Sequence, residues 1–152
     1  MTCSAWTKCA AGKKGTTPTS SVNRVCSNCP GGQYQASNTF EGTSCTAWTK
    51  CAAGKKGTTP TLSVNRACSN CPSGQYQASN TFEGTSCTAW TKCAAGKKGT
   101  TPTTSVNRVC SDCPSGQYQA SNTFEGTSCT TWSTCSTGLY VSSAGSKTTD
   151  RS

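Results

Sequence analysis

The sequence predicts a small disulfide-rich fold, mostly β and irregular. It reads as an elongated tandem array of cysteine-rich modules with no helix of note. Three observations carry this expectation. The chain repeats with a period of 42 residues: the stretch from Cys71 to Cys110 recurs nearly unchanged from Cys29 to Cys68 and starts again at Cys113. A fixed period of that size marks a repeat architecture, in which each unit leans on its neighbours. Cysteine supplies 14 of the 152 residues, above the level that signals a disulfide scaffold. Large apolar side chains are scarce, about one Trp, one Tyr, one Phe and one or two aliphatics per repeat. A segment of about 40 residues with so few cannot offset its ordering entropy by burial alone. Disulfides persist in oxidising compartments, so the expected location is extracellular or cell-surface.

Residues 3–44, 45–86 and 87–128 are three copies of one unit. The first two differ at Ser4/Thr46, Ser20/Leu62, Val25/Ala67 and Gly31/Ser73. The next two differ at Leu62/Thr104, Ala67/Val109 and Asn70/Asp112. A fourth copy opens at Cys129, keeps Trp132 and Cys135, then diverges. Ser152 falls at the position of Cys26, and the final Asp150-Arg151-Ser152 reads as the start of a DRSC run displaced by one residue. Within a unit, GQYQAS alternates as a short strand and SNTFEGTS carries turn signals. AAGKKGTTPT holds two Gly and one Pro and reads as a loop, and SVNRV reads as a second extended piece. No 3.6-residue apolar period survives between breakers. The expected modules are a partial repeat at 1–28, repeats at 29–70 and 71–112, and a divergent repeat at 113–152. No signal peptide precedes Cys3 and both ends fall inside a unit, so the chain reads as a segment of a longer protein.

Charge and motifs narrow the chemistry. The net charge is +9 and there is no His. Lys13, Lys14, Lys55, Lys56, Lys97 and Lys98 occupy equivalent positions and form a candidate basic ladder for acidic glycans or another acidic chain. The plainer reading is lysine that keeps a core-poor protein soluble. The acids Glu41, Glu83, Glu125, Asp112 and Asp150 form no evident carboxylate pair, so no enzyme is expected. Cys-x-x-Cys occurs at Cys26/Cys29, Cys68/Cys71 and Cys110/Cys113. Two such pairs 42 residues apart with no His do not fit a zinc ribbon, and no βαβ context supports a thioredoxin-like motif. No cofactor is expected, nor a nucleic-acid partner or membrane insertion. Trp6, Trp48, Trp90, Tyr34, Tyr76, Tyr118, Phe40, Phe82 and Phe124 are expected to form the small cores of the units. The Thr residues around Pro in GTTPTS, GTTPTL and GTTPTT suit O-glycosylation, which makes Thr16, Thr17, Thr19, Thr58, Thr59, Thr61, Thr100, Thr101 and Thr103 candidate acceptors. Plain turn chemistry explains the same residues.

Four cysteines per unit allow three connectivities, and spacing does not choose among them. A bond inside Cys26-Ser-Asn-Cys29 would close a strained loop. Longer loops remain, each worth about 3 kcal/mol in the chain-entropy model. The run CPSGQY, then Cys87-TAW-TK-Cys93-AAG, then NRVC-SD-C resembles the cysteine-rich repeat of the tumour necrosis factor receptor family. A repeat of that family pairs its cysteines first to second, third to fifth and fourth to sixth. Cys71 matches the first, Cys87 the second, Cys93 the fourth and Cys110 the sixth. Trp90 stands at the third position, and TTPTTS offers no fifth cysteine. Both partners of one family disulfide are therefore lacking, and Trp90 is expected to cover the space of that bond. The resemblance implies the pairs Cys9–Cys26, Cys29–Cys45, Cys51–Cys68, Cys71–Cys87, Cys93–Cys110 and Cys113–Cys129, with Cys3 and Cys135 unpaired. A competing phase would pair Cys129 with Cys135.

Two functional readings follow. The first is an extracellular structural or adhesive repeat protein, a disulfide-pinned rod or fibre segment that self-associates and carries O-glycans. Its motive is the near-identity of the copies, since identical units offer identical contacts at a fixed interval. The second is the one the resemblance implies: an ectodomain fragment of a cell-surface protein of the tumour necrosis factor receptor type that binds a protein ligand. A shared fold does not name that partner.

Overall fold

The computed structural model describes residues 3–152. Among them twelve strands of two or three residues pair only as two-stranded antiparallel ribbons, and there is no helix. The first copy sets the plan. β1 (Lys13–Gly15) pairs with β2 (Cys26–Asn28), and β3 (Gln33–Tyr34) pairs with β4 (Thr46–Ala47). The same two ribbons return as β5 (Lys55–Gly57) with β6 (Cys68–Asn70) and β7 (Gln75–Tyr76) with β8 (Thr88–Ala89). They return again as β9 (Lys97–Gly99) with β10 (Cys110–Asp112) and β11 (Gln117–Tyr118) with β12 (Thr130–Thr131).

AAGKKGTTPT was expected to be a loop, but its Lys-Lys-Gly centre is a strand. Gly12 takes a φ of 81°, open to glycine at little cost, and Lys13 N donates to Ala10 O at 3.1 Å. That turn launches β1 toward β2, which the Cys9–Cys26 disulfide holds in reach. The Gly and Pro signals mark the ends of the ribbon, and the tertiary bond supplies its middle. The second extended piece is likewise not on SVNRV. It lies on Cys26–Asn28, because Thr19 Oγ1 accepts from Val22 N and Asn23 Oδ1 from Arg24 N, which bends the residues before it.

Chain contacts divide the described residues into two compact units. One runs to Asn70 and includes Ser79–Ser86; the other holds Cys71–Ala78 and Cys87–Ser152. The first contains β1–β6 and the paired bridges Cys9↔Phe40 and Cys51↔Phe82. The second contains β7–β12 and the bridge Cys93↔Phe124. At each bridge the two residues exchange backbone hydrogen bonds of 2.8 and 2.9 Å.

Isolated two-stranded ribbons are marginal in water. Six disulfides pin these: Cys9–Cys26, Cys29–Cys45, Cys51–Cys68, Cys71–Cys87, Cys93–Cys110 and Cys113–Cys129. Their loops span 16 or 17 residues, so each contributes about 3 kcal/mol in the chain-entropy model. The cystines are also the core. The buried apolar residues are Cys9, Cys29, Cys51, Cys71, Cys93 and Cys113, joined by Arg24, Arg66, Arg108, Gln35, Gln77 and Gln119. This corrects the expectation of aromatic cores. Tyr34, Tyr76, Tyr118, the three Phe and three of the Trp are only half-buried, and Trp6 is 53% exposed. The cystines, and not the rings, are therefore the most buried apolar groups of the units. No helix of the described residues is long and apolar enough to cross a membrane.

Candidate functional site

Each copy builds the same surface around an Asn-Arg dipeptide. Asn23 Oδ1 accepts from Thr7 N at 2.9 Å and from Arg24 N at 2.8 Å, while Asn23 Nδ2 donates to Thr7 Oγ1 at 2.8 Å. Arg24 Nη1 donates to Thr7 O at 2.8 Å. Asn65 with Arg66 clasps Thr49 in the same way, and Asn107 with Arg108 clasps Thr91. In the fourth copy Asp150 and Arg151 clasp Ser133, so the displaced Asp-Arg run keeps the contact after a one-residue insertion. The arginine stem fills the space opposite a β-ribbon glycine. A Cβ added at Gly15 would lie 2.2 Å from Arg24 Cδ. Sequence reading missed these arginines, which look like ordinary surface cations. The available signal was their constant distance, 17 residues, from a Thr.

Three of the four tryptophans latch the following turn. Trp48 Nε1 donates to Thr61 O at 3.0 Å, Trp90 Nε1 to Thr103 O at 2.9 Å and Trp132 Nε1 to Ser146 O at 3.0 Å. Trp90 therefore ties its own segment to the turn that follows Pro102. At Trp6 a cavity of about 200 Å³ lies between the indole and the turn Thr19–Asn23.

Charge is distributed unevenly. Glu41 pairs with Lys8 at 3.2 Å, Glu83 with Lys50 at 3.1 Å and Glu125 with Lys92 at 3.1 Å. Asp112 pairs with Lys97 and Lys147, both at 2.8 Å. Hydrogen bonds from Lys147 and then Lys97 hold the Asp112 carboxyl at about 2. Asp150 is also lowered, first by the hydrogen bonds from Ser133. All five acids are thus engaged. The candidate ladder falls on the ribbons and not on loops: Lys13 and Lys14 on β1, Lys55 and Lys56 on β5, Lys97 and Lys98 on β9. Strand alternation turns the two lysines of a pair to opposite faces. The third copy departs from the other two, because Lys97 faces Asp112 where Lys13 and Lys55 face Asn28 and Asn70.

The nine candidate acceptor threonines are all exposed. Cys3 and Cys135 carry free, exposed thiols, and Cys129 is bonded to Cys113.

Residues 113–152 match the family described as the TNFR/NGFR cysteine-rich region. A comparison with curated proteins finds no match. Among solved structures, the chain is similar to one in a human RANKL/OPG complex, with 26% identity and a TM-score of 0.42 over 96% of this chain and 87% of that one. It is also similar to a chain of a mouse RANKL-OPG complex, with 23% identity and a TM-score of 0.39 over 82% of this chain and 89% of that one. The segment 113–152 is thus a cysteine-rich module similar to those of the tumour necrosis factor receptor type, and its disulfide loop recurs in the copies before it.

Proposed function

We propose that the chain is a ligand-binding segment of an extracellular protein and engages another extracellular protein through the basic ribbons of its modules. The distribution of charge carries this reading. Every acid is engaged within the chain, whereas Lys13, Lys14, Lys56 and Lys98 have no ion pair among the described residues. A surface whose negative charge is already engaged attracts an acidic partner, and repeated basic ribbons let one partner or several bind at more than one point. The match of residues 113–152 to a receptor cysteine-rich region supports a protein partner over a glycan. Six disulfides fit an oxidising, extracellular setting. The fibre reading draws no support from the family match or the charge pattern.

Screening the purified chain against cell-displayed extracellular proteins tests the proposal. The expected result is saturable binding to a protein with an acidic face, weakened by added salt and by combined Lys14→Ser, Lys56→Ser and Lys98→Ser substitution. Regular filaments of the pure chain under the electron microscope, with no saturable protein ligand, would overturn it.

A further inference from the structure

We infer that Thr17, Thr59 and Thr101 are O-glycan acceptors, each taking an N-acetylhexosamine on its hydroxyl, while the threonines beside them stay bare. The first two copies place three Thr around one Pro and the third places four, Thr104 included, whose carbonyl accepts from Gln77 N; residue type alone does not separate them. The hydrogen bonds do. Thr16 Oγ1 accepts from Val25 N at 3.0 Å, Thr58 Oγ1 from Ala67 N at 3.0 Å and Thr100 Oγ1 from Val109 N at 3.0 Å. Thr19, Thr61 and Thr103 each use Oγ1 to accept from the valine N three residues on, at 3.0 Å, and so close a turn. These six hydroxyls fold the loop. Thr17, Thr59 and Thr101 make no hydrogen bond through side chain or backbone among the described residues, and all three are exposed.

The backbone at the same residues suits an acceptor. Pro18, Pro60 and Pro102 follow directly, and a residue before proline is confined to extended or polyproline conformations. Accordingly Thr17, Thr59 and Thr101 lie in segments free of helix, strand and turn. A transferase can take such a segment as an extended strand without opening the fold. Threonine beside proline in a Ser/Thr-rich sequence is the composition that O-glycosylated stalks use. The oxidising secretory route that forms the disulfides also carries nucleotide-activated sugars. In the transfer, the threonine oxygen attacks the anomeric carbon of the nucleotide sugar. A new carbon–oxygen bond forms, the bond to the phosphate breaks, the nucleoside diphosphate leaves and the hydroxyl proton passes to a base of the transferase. No oxidant or reductant is needed.

The chain carries its own assay. Trypsin cleaves after Lys14 and Arg24, after Lys56 and Arg66, and after Lys98 and Arg108. The products GTTPTSSVNR, GTTPTLSVNR and GTTPTTSVNR contain no cysteine and are told apart by Ser20, Leu62 and Thr104. The full chain is expressed in a eukaryotic secretory host, digested, and its peptides fragmented by a method that retains sugars. The expected result is hexosamine on Thr17, Thr59 and Thr101, lost in the Thr17→Val, Thr59→Val, Thr101→Val variant while its six disulfides still map as in the parent. Bare peptides, phosphate in place of sugar, or hexosamine on Thr16, Thr19 or their equivalents would overturn the inference.

Discussion

Gly57→Ala tests whether the buried arginine is a structural post of the module. Gly57 does not have a positive φ, so alanine is allowed there by backbone conformation. Space is the difficulty. The new Cβ would lie 2.3 Å from Arg66 Cδ and 2.7 Å from its Cγ. Ordinary carbon contact begins near 3.5 Å, so the stem must retreat by about 1 Å. That retreat carries Nη1 away from Thr49 O, where it now donates at 2.7 Å, and out of hydrogen-bond range. Overpacking of this kind costs about 1–3 kcal/mol. In an Arg66→Ala background the obstacle is gone, and Gly57→Ala should cost little or nothing. The two substitutions should therefore couple by about 1–3 kcal/mol. Hydrogen exchange is the suitable assay, because repeat arrays open locally and a single global unfolding energy is poorly defined. The reporters are the amides of Gly57, which donates to Gly84 O at 3.0 Å, and Thr58, which donates to Ala67 O at 2.9 Å. An equal cost of Gly57→Ala in both backgrounds would refute the reasoning.

Three further outcomes are expected. Trp90→Phe removes the indole bond to Thr103 O and should speed exchange in the turn at Val106 by an amount worth about 1 kcal/mol, whereas unchanged exchange would show that the latch stabilises nothing. Joint Cys51→Ala and Cys68→Ala substitution opens a 17-residue loop and should cost about 3 kcal/mol locally, read as protease cleavage between those positions under conditions that leave the parent intact. The Asp112 carboxyl should titrate near 2 by NMR and move toward 3.8 when Lys147→Ala removes its first partner. Because that pKa is depressed, the stabilisation it reports is complete above the ordinary carboxylate value and is lost as pH falls toward 2.

Much of the fold is legible from local signals. The 42-residue period, the cysteine density and the lack of a helical period are compositional and survive any packing. The ribbons are less legible. Lys13–Gly15 carries glycine on both sides and reads as a loop, because what makes it a strand is β2, brought alongside by a disulfide. The surface is harder still. Arg24 looks like a solvated cation and is buried; Trp6 looks like core and is 53% exposed. A chain with almost no aliphatic interior shifts the usual assignments, since cystines take the centre and the aromatics stay partly exposed.

The sequence by itself determined the repeat, the disulfide-rich class, the absence of helix and the positive charge, because these follow from which residues are present and how often. Tertiary structure alone decided which acids are engaged, which lysines remain unpaired and which threonine hydroxyls are left without a partner. Those outcomes depend on groups such as Asn23 with Thr7, and Arg24 with Thr7, 16 and 17 residues apart in the chain. Disulfide closure brings them together, and no local pattern records the direction in which each side chain then points.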